Sequence, residues 1–222
     1  MTNKGIYKGI YFDDIHSFYD LNLILAPFVP TPAEPKENYI DITGGDGSLD
    51  LTEGLGEVKY KDRTFDFTFT IHPSEKMAFD EKVSQVSSAL NGKKCRMTLD
   101  RDSDYFWEGR CKVDKYAQNK LLGQISIKAT VRPYKLKQNE TVVSFNLTAD
   151  KKEITLKNGK KSVVPEITCT NNNTVVSFGD SFTTTLSAGT YKILDIYLKE
   201  GNNILKVSGS GTITFKYQEG EL

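Results

Sequence analysis

The sequence predicts a mainly β protein of two domains with a single α-helix, and three observations carry that prediction. Phe65, Phe67, Phe69 and Ile71 alternate with Thr64, Asp66, Thr68 and Thr70, the period-two pattern of a strand with one buried and one wet face. Only one stretch has a helical period: Phe79, Val83, Val86 and Leu90 recur at spacings that stack them on one helix face. Around Pro133-Tyr134-Lys135-Leu136-Lys137-Gln138-Asn139 the apolar alternation gives way to polar residues, which places a domain boundary after residue 136 and assigns 1–136 and 137–222 to separate domains.

Along the chain, Pro27, Pro30, Pro32 and Pro35 come first. Proline lacks the amide hydrogen that a sheet ladder needs, so this piece is expected to run as an extended arm that adds little to either core and reaches a neighbour. Gly44-Gly45-Asp46-Gly47-Ser48 reads as a tight turn using the positive φ that glycine tolerates. The helix follows the strand over 64–71, with Ser74 as its expected N-cap and Asn91-Gly92 before Lys93 and Lys94 as its stop. Period two returns in Ile125, Ile127, Ala129 and Val131, in Ile154 and Leu156, and in Ile213, Phe215 and Tyr217. Shorter β-like runs lie at 95–99, 107–113, 174–178 and 191–197, bounded by turn formers.

Composition narrows the function. In 222 residues, 29 basic side chains balance 29 acidic ones, so no global field draws the chain to DNA or to an anionic membrane, and a sequence-specific nucleic-acid binder is excluded. Residues 1–58 form a local acidic region, with Lys4, Lys8 and Lys36 as the only bases; it suits a channel wall that must not hold DNA, and equally a solvated face. No apolar run approaches the ~20 residues of a membrane-spanning helix, and the start leads into no secretory segment, so a cytoplasmic site of synthesis is expected. Cys95, Cys111 and Cys169, odd in number and widely spaced, read as reduced thiols.

Catalytic patterns are scarce. His16 and His72 belong to no HExxH motif, and the cysteines form no CxxC, so no metal centre is predicted. His16 reads as a loop or edge residue near Asp13 and Asp14, and His72 as the end of a strand before a turn. Asp100, Asp102 and Asp104 have the spacing of a calcium loop, but Tyr105 and Cys111 stand where that loop needs glycine and glutamate, so an acidic hairpin turn is the simpler reading. A glycosidase acid pair leaves no local signature, and Tyr191, Tyr197 and Tyr217, the aromatics available for sugar stacking, are expected in core or interface. Neither catalytic residues nor a cofactor are assigned.

Five segments in order resemble the distal tail protein family of phages with long non-contractile tails: Gly9-Ile10-Tyr11-Phe12-Asp13-Asp14-Ile15-His16-Ser17, the proline arm, Gly44-Gly45-Asp46-Gly47-Ser48-Leu49-Asp50-Leu51, Tyr60-Lys61-Asp62-Arg63-Thr64-Phe65, and the helix followed, further on, by Arg132-Pro133-Tyr134-Lys135-Leu136. Pro165-Glu166-Ile167-Thr168-Cys169 and Leu198-Lys199-Glu200-Gly201-Asn202-Asn203 are similar to the family's C-terminal domain, although this domain has no tryptophan and the arm no arginine-rich flanks. The resemblance implies an N-terminal β-sandwich or barrel-like ring domain with one helix and a C-terminal galectin-like β-sandwich. It further implies a non-enzymatic structural protein of the virion tail tip, assembled in the bacterial cytoplasm: a homo-hexameric hub joining the tail tube protein to the tail-associated or baseplate hub protein. Pro27, Phe28, Val29, Pro30 and Pro32 are then the expected subunit contacts. The alternative reading is a carbohydrate-binding module that holds host saccharide on the C-terminal sandwich.

Overall fold

The alternating phenylalanines of 65–69 form the centre of a nine-residue strand whose burial alternates residue by residue. The computed structural model describes residues 9–54, 56–72, 75–118, 122–180 and 182–222, and the chain divides into two compact units, Met1–Lys135 and Leu136–Leu222. The first unit runs β1 (Ile10–Phe12), β2 (Ile15–His16), β3 (Leu23–Leu25), β4 (Tyr39–Asp41), β5 (Ser48–Asp50), β6 (Arg63–Ile71), α1 (Phe79–Leu90), β7 (Lys94–Leu99), β8 (Tyr105–Gln118) and β9 (Gly123–Val131). Seven of these strands make one antiparallel path, β2-β1-β7-β8-β9-β6-β3. β4 and β5 form a separate two-stranded sheet.

The path cannot be flat. Strands in a sheet lie about 4.8 Å apart, so six flat intervals would hold the edge strands β2 and β3 nearly 30 Å from one another. Yet only residues 17–22 separate them, coiled by bonds from Asp20 N to His16 O and from Asn22 N to Phe18 O, and Leu23 N donates to Ser17 O at 2.8 Å. The sheet therefore rolls towards closure and brings its two edges together. Its interior holds Phe12, Phe65, Phe67, Phe69, Met97 and Ile127, with Val83, Val86 and Leu90 of α1 packed into the same cluster.

The helix presents the predicted face but begins later than predicted. Ala78 is its N-cap and supplies no side-chain bond; Pro73 and Ser74 lie outside the described residues. The first turn is held by a buried ion pair. Lys82 Nζ, in a side chain 2% exposed, sits 2.6 Å from Glu75 Oε2 and donates to Gln85 Oε1 at 2.9 Å. Glu75 also accepts from the amides of Lys76 and Met77. The Lys82 ammonium, with the Met77 amide second, pulls the Glu75 carboxyl down to about 2. The helix ends as expected: Gly92 takes φ +76°, and Lys93 N returns to Leu90 O at 3.2 Å.

The second unit begins within β10 (Lys135–Lys137) and continues with β11 (Thr141–Asn146), β12 (Lys152–Asn158), β13 (Glu166–Cys169), β14 (Thr174–Phe178), β15 (Phe182–Leu186), β16 (Gly189–Lys192), β17 (Gly201–Ser208), β18 (Thr212–Tyr217) and β19 (Gly220–Glu221). Two four-stranded antiparallel sheets, β11-β18-β13-β16 and β12-β17-β14-β15, share one core of Leu156, Ile167, Val176, Leu205, Ile213 and Phe215. The β-like run at 191–197 is only half a strand: β16 ends at Lys192, and the chain turns, with Ile196 N donating to Ile193 O.

Two stability measurements test this packing. Phe67→Ala removes a ring 1% exposed and is expected to cost about 3–5 kcal/mol in a urea titration; a loss below about 1 kcal/mol contradicts the core assignment. Glu75→Gln leaves the buried Lys82 charge without its counter-ion, with Gln85 still accepting from it, and is expected to cost about 3–5 kcal/mol at pH 7. Because the Glu75 carboxyl is depressed from 4.5 to about 2, its contribution is complete above pH 4.5 and fades as pH falls towards 2. The stability gap between wild type and variant should therefore narrow between pH 5 and pH 3.

Candidate functional site: an uncovered acidic hairpin on a docked stem

The proline segment leaves β3 and follows the edge of β6 without becoming a strand. Its few available donors are used: Ala26 N bonds Thr68 O at 2.9 Å, and Thr31 Oγ1 bonds Thr64 O at 2.9 Å. Further along, Lys36 N bonds Lys59 O at 2.7 Å, and Lys61 N bonds Glu34 O at 2.8 Å. Side chains supply the rest of the attachment. The Phe28 ring lies 4.5 Å from that of Phe67 and 5.4 Å from that of Phe65. Arg63, 6% exposed, donates from Nε to Thr31 O at 2.6 Å and from Nη1 to Pro133 O at 3.1 Å, with its guanidinium 5.2 Å from the Phe65 ring centre. The expectation that this segment adds little to its own core is overturned at Phe28, which packs against that core. Of the five expected contact residues, Pro27, Val29 and Pro32 are exposed, Val29 by 80%, whereas Phe28 and Pro30 are half-buried.

Beyond this stem projects the β4–β5 hairpin, in which every strand residue is exposed. Pairing of Ile40 with Leu49, and of Tyr39 with Asp50 and Asp41 with Ser48, sorts the side chains onto two faces. One is apolar, Ile40 and Leu49, with Ile42 two residues on; they are 49%, 49% and 56% exposed. The other carries Tyr39, Asp41, Ser48 and Asp50, where Ser48 Oγ donates to Asp41 Oδ1 at 2.6 Å. Asp50, with Glu37 second, raises the Tyr39 phenol above its ordinary range. At the tip, Gly44 and Gly47 adopt φ +80° and +75°, confirming the turn. Glu37, Asp41, Asp46, Asp50, Glu53 and Glu57 fall between Lys36 and Lys59 with no basic residue among them. The acidic excess of residues 1–58 is thus concentrated on this hairpin and its base. Pro35, Tyr39, Asp50, Thr52 and Tyr60 line a shallow groove of about 460 Å³ where hairpin meets stem.

A two-stranded ribbon has no interior of its own, and large apolar side chains held in water on both sides of a glycine turn mark a surface made for contact. A profile of one protein family, the phage tail protein RIFT-related domain, matches residues 15–154. The chain belongs to that family. No curated protein matches its sequence. Among solved structures, the crystal structure of the Dit protein of phage SPP1, titled a paradigm of the hub adsorption apparatus in phages infecting Gram-positive bacteria, aligns with a TM-score of 0.72 at 12% identity. The alignment covers 96% of this chain and 99% of that one, so the fold is shared across both units.

In this phage tail protein the other candidate residues serve the fold. His16 lies in the edge strand β2, as read, but its side chain turns inward: it is 1% exposed, its Nδ1 accepts from the amides of Phe18 and Tyr19 at 3.1 Å, and its Nε2 faces Asp100 Oδ2 at 3.2 Å. A ring nitrogen that accepts two amide hydrogens carries none itself, which leaves the proton on Nε2. His72 directly follows the end of β6, as read. Asp100 and Asp102 belong to a 3₁₀ turn and diverge to separate cations or donors: Asp100 to His16 and Gly9 N, Asp102 to Lys135 Nζ at 2.7 Å. Among the described residues, no three potential ligands converge on a metal position. Tyr217 is buried and donates to Lys157 O, and Tyr191 donates to Ser187 O while packing against the core; neither is a free stacking platform. Sequence reasoning missed the hairpin itself. Its signal was present in Tyr39-Ile40-Asp41-Ile42 and Ser48-Leu49-Asp50-Leu51, two alternating runs flanking a glycine turn.

Arg63 should prove to be the anchor of the stem. Arg63→Met leaves the Thr31 and Pro133 carbonyls without their donor and is expected to cost about 1–3 kcal/mol in denaturant unfolding. Val29→Ala, on the outward side of the same stem, is expected to change stability by less than about 0.5 kcal/mol.

Proposed function

We propose that this tail protein is a hub of the phage tail tip, built from copies of itself closed into a sixfold ring. The observation that carries the reading is the hairpin: an amphipathic ribbon, acidic on one face and apolar on the other, fixed to its own subunit by a proline stem and left exposed by the described residues of that subunit. The shared fold with SPP1 Dit supports it, as does membership of a phage tail family. A ring of identical subunits needs a heterologous contact, in which one element of each copy seats on a different patch of the next. A rigidly rooted arm meets that need. In this reading the hairpin and the outward stem residues Pro27, Val29 and Pro32 clasp the neighbouring copy, and Phe28 and Pro30 root the arm rather than meet the partner.

One face of the ring would join the tail tube protein and the other the tail-associated or baseplate hub protein, placing the chain at the tail tip of the virion after assembly in the bacterial cytoplasm. Its work is shape rather than turnover. The test is light scattering on the purified chain, with a mass of six copies, or a concentration-dependent rise towards six, as the expected result. Replacing residues 39–50 by a short glycine-serine linker should abolish that assembly and leave the thermal midpoint of the monomer within about 2 °C of wild type, because the hairpin contributes nothing to a core. A linker variant that still assembles contradicts the arm assignment, and a strictly monomeric wild type contradicts the ring.

A further inference from the structure

Cys95 and Cys111 stand on neighbouring strands, β7 and β8, and both side chains enter the same core. Their sulfurs are 3.3 Å apart, and Met97 Sδ lies 3.8 Å from the Cys111 sulfur. A disulfide bond is about 2.05 Å long, so closure requires the two sulfurs to approach by roughly 1.2 Å in total. Nothing stands between them: the residue opposite Cys95 across the strand pair is Gly109. Cys169, by contrast, is buried in the core of the other unit.

We propose that Cys95 and Cys111 are an oxidant-responsive dithiol that closes to an intrachain disulfide when the protein meets a peroxide. In the first step the Cys95 thiolate attacks one peroxide oxygen; the O–O bond breaks, Cys95 becomes a sulfenic acid, and one water leaves after protonation. In the second step the Cys111 sulfur displaces the sulfenic oxygen as a second water and forms the S–S bond. Two thiols lose two protons and two electrons, and one hydrogen peroxide is reduced to two waters. The order of attack follows from access, because Cys95 is 5% exposed and Cys111 0%, and the bond between the sulfurs, with burial second, raises the Cys111 thiol above its ordinary range. Cys95 is therefore the sulfur that ionises first.

The bridge would tie β7 to β8 on either side of the 3₁₀ turn that carries Asp100 and Asp102, the partners of His16 and Lys135. Its formation does not depend on the chain assembling into a ring.

The experiment treats the full-length protein with hydrogen peroxide, quenches, and counts thiols after denaturation, with peptide mapping by mass spectrometry and a thermal melt before and after dithiothreitol. The expected result is a fall from three thiols to one, a peptide cross-link joining residues 95 and 111, Cys169 free, and a midpoint raised by on the order of 5 °C that dithiothreitol reverses. Cys111→Ser should keep both of its thiols out of any intrachain bridge and show no rise. Mapping of the wild-type protein stands even if that variant folds poorly. Three thiols surviving, a bridge that uses Cys169, or sulfinic or sulfonic acid at either position overturns the proposal.

Discussion

The arrangement of the first unit depends on one constraint, the missing amide hydrogens of the proline stem. Pro27, Pro30, Pro32 and Pro35 cannot complete a ladder against β6, so the rolled sheet stops at β3 and the chain beyond is attached by what remains. Besides the backbone bonds of Ala26, Lys36 and Lys61, that attachment is a ring against the core, a hydroxyl, and a buried guanidinium shared between two carbonyls. A regular strand in this place would have extended the sheet and offered its outer edge to any other chain. The stem closes that edge and still carries the hairpin outward.

Polar groups placed inside the first unit do similar work at other points. Lys82 and Glu75 hold the start of a helix that has no side-chain cap. His16 joins the turn between the sheet edges to the 3₁₀ turn after β7 through Asp100. Each of these ties a segment that the hydrophobic core alone would leave loose, and each costs stability if half of it is removed, because a buried polar group without its partner is expensive.

Much of this architecture was legible in the residues. The Phe65, Phe67, Phe69 alternation identified a half-buried strand, and the Val83, Val86, Leu90 spacing identified the inner face of α1, because side-chain periodicity follows directly from backbone geometry. Ser74 misled because a serine caps a helix only where the helix begins directly after it, and this helix starts after Ala78, with Glu75 ahead of it paired to Lys82. His16 misled for a related reason: its neighbours in sequence are Asp13 and Asp14, but its partner, Asp100, lies across the fold. That Phe28 turns inward while Val29 turns out is set by the register of the stem against β6, which the prolines around them do not encode. The hairpin was readable as two short alternating runs, yet its lack of any cover is a tertiary property that no local pattern carries.

The central claim is that the hairpin is covered by another copy of the chain. Hydrogen–deuterium exchange of the amides within residues 38–51, measured on the full-length protein over a range of concentrations, tests it most directly. The account predicts fast exchange in the monomer and strong protection that grows in step with the assembled fraction. Equal, rapid exchange in the monomer and in the largest species present would contradict it.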